Sequence, residues 1–96
     1  MKLRYREVLD KYNTNSADVL SYEEAKLLWL NASDIIPDLE NCVRTLEKSK
    51  TQLTNLGMCV ATEYVNAALL DTQIKLNNAY KQKFDADVRM DKLTEA

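Results

Sequence analysis

Among its 96 residues the sequence has no histidine, one glycine, one proline and two cysteines. Without histidine there is no imidazole base, and the usual zinc ligand sets cannot be assembled. One glycine excludes a glycine-rich phosphate loop. One glycine and one proline also argue against a sheet, because these two residues punctuate turns and strands and a sheet of this length would need several. Long apolar runs are missing as well. No strongly apolar stretch exceeds Leu27-Leu28-Trp29-Leu30, far short of the roughly 20 residues that a membrane-spanning helix needs.

The charge pattern excludes further classes. The net charge is −2 and the two signs are interspersed, so there is no block of one sign to draw in nucleic acid. The basic start, Lys2, Arg4, Arg6 and Lys11, is the one hint of an anion-binding end, and it reads as a solvated surface. The start Met1-Lys2-Leu3-Arg4 has charge but no apolar segment after it, so no secretory leader is expected. Cys42 and Cys59 lie at or near apolar positions and read as small buried hydrophobes of a reducing, cytoplasmic protein. Asp85, Asp87 and Asp91 are interleaved with Lys81, Lys83, Arg89 and Lys92, which reads as a solvated ion-pair face on a helix and not as an acid–base or metal site. The expectation is a protein that is not an enzyme and has no cofactor and no metal.

What remains is helix. Hydrophobic residues make up 46 % and charged residues 29 %, an ordinary globular balance. Leu3, Tyr5, Val8, Leu9 and Tyr12 form a loose stripe that predicts a short N-terminal helix, followed by a polar loop at Asn13-Thr14-Asn15-Ser16. Ser21-Tyr22-Glu23-Glu24 reads as a capping box opening a second helix at about 21–31. Ser33, Asp34 and Pro37 then read as a fresh helix start, with proline in the first turn. From there Leu39, Val43, Leu46, Lys50, Leu53 and Leu56 alternate steps of four and three, a heptad-like seam.

Gly57 is the pivot. It either ends a helix in the left-handed conformation, giving an αα-hairpin, or lies inside one helix at a cost of about 1 kcal/mol. Apolar character returns at once in Met58-Cys59-Val60-Ala61 with no polar loop, which favours one continuous helix of roughly 87 Å. Beyond Gly57 two stripes run in parallel: Val60, Tyr64, Ala67 and Ile74, and Val65, Leu69, Thr72, Leu76 and Tyr80. So wide an apolar face predicts contact with at least two other helices. After Lys81 the pattern thins to Phe84, Val88, Met90 and Leu93, which predicts fraying.

The fold class expected is therefore all-α: a small helical bundle with a long C-terminal helix, or an αα-hairpin broken near Gly57, with coiled-coil-like packing. It reads as one helical domain over 1–96, with a short helix and loop at 1–15, a second helix at 16–32, a long helix or hairpin at 34–92 and a frayed tail at 93–96. A chain this short buries only about 60 % of its unfolded surface, so self-association or a protein partner would supply the missing burial. Self-association is assigned to Leu39, Val43, Leu46, Leu53, Val60 and Tyr64, giving a homo-oligomer. Partner binding is assigned to Leu27, Trp29 and Leu30, because tryptophan is enriched at interface hot spots. In general style the chain resembles small helical accessory proteins encoded by bacteriophages, a resemblance carried by no particular residue, which implies a regulator or inhibitor. A self-assembling scaffold is the alternative, and a nucleic-acid-binding accessory protein the second.

Overall fold

Ser21 opens the main helix as its sequence requires. The Ser21 hydroxyl accepts from the Glu24 amide at 3.2 Å, and the Glu24 carboxylate accepts from the Ser21 amide at 3.0 Å. Two otherwise orphaned donors are satisfied by one reciprocal box. In the computed structural model, which describes residues 4–95, the chain forms α1 (Tyr5–Asn15), a 3₁₀ turn (Ala17–Val19), α2 (Tyr22–Asn55) and α3 (Cys59–Thr94). No strand occurs among the described residues. Lys2 and Leu3, placed above in the basic start and the first helical stripe, lie outside the described residues.

Three boundaries differ from the sequence reading. First, α1 runs through Asn13, Thr14 and Asn15, which read as loop; the reversal falls on Ser16 instead, at φ 78°. Second, no helix ends at 31 and none begins at 34, because α2 continues through Pro37. An interior proline removes one hydrogen bond, to the Ser33 carbonyl, and costs roughly 3 kcal/mol. The offset lies in the apolar stripe, which keeps phase on both sides of it: Ala25, Leu28, Ala32 and Ile36 are buried, and Leu39, Val43 and Leu46 continue at steps of three and four. Pro37 itself is exposed, on the opposite side of the helix from that stripe.

Third, the chain turns at Gly57, so the single long helix favoured by the sequence is corrected to a hairpin. Gly57 sits at φ 72°, its amide donates to the Thr54 carbonyl and the Met58 amide to the Leu53 carbonyl, both at 3.0 Å. This pair of bonds is the Schellman termination. The polar loop expected of a hairpin is missing because backbone groups alone make the turn, which leaves Leu56 and Met58 exposed at the tip.

The result is a rod of 59 × 22 × 21 Å with a radius of gyration of 17.5 Å, where a globule of this length would have about 12–13 Å. α2 and α3 pack along most of their length, while α1 and the 3₁₀ turn cover one end. The core lies at that end: Val8, Ala17, Leu20, Ala25, Leu28 and Ala86, bordered by Tyr5, Leu9, Tyr12, Leu27, Trp29 and Met90. Beyond Lys81 α3 continues to Thr94, with Ala86 buried and Met90 packed on this core. No helix among the described residues is long and apolar enough to cross a membrane.

Candidate interaction surface

The covered end is held by polar bonds between α1, the 3₁₀ turn and the two long helices. Lys11 Nζ pairs with Glu24 Oε1 at 3.0 Å. The Ser21 amide, and then Lys11, hold the Glu24 carboxyl below its usual pKa. The Tyr12 hydroxyl donates to Asp85 Oδ2 at 2.6 Å, and Arg89 Nε donates to the Leu20 carbonyl at 2.8 Å. Burial first, and then the Asp85 carboxylate, push the Tyr12 phenol above its usual pKa. Lys83 Nζ stands 5.3 Å from the centre of the Trp29 ring, a cation–π contact worth about 0.5–1 kcal/mol. The interleaved charges of residues 81–92 are thus not simply a solvated ion-pair face. Asp85, Arg89 and Lys83 each fasten α3 to another element, through partners too distant in sequence for local spacing to reveal.

The predicted partner-binding trio divides. Leu27 and Trp29 are half-buried and pack against the core, Trp29 under Lys83, whereas Leu30 is exposed. The predicted self-association set divides as well. Leu39, Val43, Leu46 and Leu53 are half-buried along the stripe by which α2 packs on α3. Val60 and Tyr64, 67 % and 76 % exposed, lie outside it on α3. The heptad seam of residues 39–53 therefore lies against α3 within the chain.

The two stripes of α3 have separate fates. Val65, Leu69, Thr72 and Leu76 are buried or half-buried on the α2 side, continued by Ala79 and Ala86. Tyr80, grouped with them by spacing, is exposed. Val60, Tyr64, Ala67 and Ile74 face away from α2, and Leu70 and Phe84 join them. Leu70 is 61 % exposed, Ile74 52 % and Phe84 66 %. The distal half of α2 presents Asn41, Arg44, Thr45, Glu47, Lys48, Thr51 and Gln52 to solvent, and between Ile36 and Asn55 it exposes no large hydrophobic residue. Isolated surface hydrophobics need no explanation, but here they form a row along one face of one helix. Sequence reading missed Leu70 because Glu63 and Asn77 occupy the positions one heptad to either side and mask the repeat.

Both cysteines are exposed, correcting their reading as buried hydrophobes: Cys42 is on the outer side of α2 and Cys59 at the start of α3. Burial pushes the Tyr5 phenol above its usual pKa against a lowering hydrogen bond with Asn31, and desolvation, then the Glu40 carboxylate, push up that of Tyr80. Comparison with known proteins finds no matching family model, curated protein or solved structure.

Proposed function

We propose that this chain is a non-enzymatic helical interaction module, a small regulator or inhibitor that acts by docking the outer face of α3 on protein. One observation carries the reading. The hairpin satisfies its own seam and still leaves a row of large apolar side chains along α3, while the equivalent part of α2 is polar. The seam at 39–53 lies against α3 within the hairpin, and the docking role passes from Trp29 to Leu70 and Ile74. Two exposed free thiols suit a reducing, cytoplasmic setting. The test is a photo-crosslinking amino acid placed at position 70 and, separately, at position 48 on the polar side of α2. Protein adducts from position 70 and none from position 48 are expected. Equal adducts from both, or none from either, would refute a docking face on α3.

A further inference from the structure

The outer face of α3 carries its own specification for what covers it. Positions 60, 63, 67, 70, 74, 77, 81 and 84 follow one another at steps of three and four, the repeat of a two-stranded coiled coil. Six of the eight are Val60, Ala67, Leu70, Ile74, Asn77 and Phe84. The two charged members are Glu63 and Lys81, of opposite sign, both exposed, and neither in an ion pair within the chain among the described residues. They lie symmetrically about Thr72, nine residues to either side.

We propose that the occupant is a second copy of this chain, with α3 packed antiparallel on α3 about a two-fold axis that passes between Leu70 and Ile74, level with Thr72 along the helix. The proposal rests on the docking reading above and names its partner. In this register Leu70 of each copy meets Ile74 of the other, giving two apolar layers at the axis. Ala67 meets Asn77, where the small side chain leaves room for the amide. Glu63 meets Lys81, and Val60 meets Phe84 at the ends. Every position finds a compatible partner, and the contact spans about 36 Å at 1.5 Å per residue.

The same charges reject the alternatives. A parallel pairing sets Glu63 on Glu63 and Lys81 on Lys81, which like-charge repulsion opposes. Sliding the antiparallel register by one heptad sets Glu63 on Ile74 and Lys81 on Leu56, or Lys81 on Leu70 and Glu63 on Val88. Either shift buries a charge against an apolar side chain without a partner. Asp71, which flanks the axis, is already neutralised by Lys75 at 3.2 Å. Opposite charges in one layer thus fix direction and register together, as polar residues do in coiled-coil seams.

Sedimentation equilibrium from low to high micromolar concentration tests this with four chains: wild type, Glu63→Lys, Lys81→Glu and the double exchange. Wild type is expected to dimerise. Each single exchange creates two like-charge layers by symmetry and should weaken the dimer at least about tenfold, and the double exchange should restore it. Both sites are exposed in the monomer, so the helical signal and melting of dilute samples should not change. A wild-type monomer throughout the range, single variants that dimerise normally, or a double exchange that stays weak would overturn the pairing. A monomer that still gives adducts to another protein from position 70 would overturn the pairing alone; a monomer that gives none would overturn the docking face with it.

Discussion

Leu28 is, with Leu20, one of the two largest fully buried side chains of the covered end, and Leu28→Ala tests that core directly. It has no exposed surface and lies in one cluster with Val8, Ala17, Leu20, Ala25 and Ala86. Three of those five neighbours are alanines, which have no flexible side chain to swing into a void. The site therefore collapses poorly, and the cost should fall within the range of about 2–5 kcal/mol for leucine truncation, near 3. A chain of this size has roughly 5–14 kcal/mol in all. A loss of 3 should lower the melting temperature by about 12–24 °C. Because Trp29 borders the cluster, urea unfolding followed by tryptophan fluorescence and by circular dichroism reads the same event twice. The expected result is a lower midpoint by both probes. A change below about 1 kcal/mol would refute the assignment of the core to this end of the hairpin.

Three further outcomes follow from the geometry. Gly57→Ala should destabilise by about 1–2 kcal/mol in urea unfolding, because the position needs φ 72° although the space around a new Cβ is open. Glu24 has a lowered pKa when folded, so its contribution is complete above its ordinary value of 4.5 and is lost as pH falls through the lower folded value; the stability gap between wild type and Glu24→Gln should close over that acid window. Tyr12 has a raised pKa, so its contribution is complete below its ordinary value of 10.0 and is lost as pH rises beyond that; alkaline unfolding should begin later for Tyr12→Phe, measured against its own neutral stability.

Much of the fold was legible because it rests on local chemistry. The capping box at Ser21 needs only residues three apart, and the stripes need only a period. The errors arose where local signals competed. Ser33, Asp34 and Pro37 have every mark of a helix start, but the stripe from Ala25 to Leu53 keeps phase across them, and burial against α3 outweighs one missing hydrogen bond. At Gly57 the apolar flanks suggested continuity, whereas the glycine conformation and two backbone bonds suffice to turn the chain. The candidate surface was half legible. The apolar face on α3 was visibly wider than one helix covers, and the spacing separated it into two stripes, of which α2 covers one. Which stripe α2 would cover depends on how the hairpin closes, which no local pattern encodes. For the same reason Tyr12 and Asp85, 73 residues apart, gave no sign of pairing.

The account turns on a division of apolar residues: Leu39, Val43, Leu46 and Leu53 serve the hairpin, while Leu70 and Ile74 are left for a second surface. Thiol-labelling rates divide the two sets most directly, with Leu46→Cys and Leu70→Cys each placed in a chain carrying Cys42→Ser and Cys59→Ser. The prediction is that Cys at position 46 is protected at every concentration, and that position 70 labels freely when dilute and slowly when concentrated. Protection of position 46 that appears only on concentration, with position 70 labelling freely throughout, would return the interface to the seam of residues 39–53 and contradict the account.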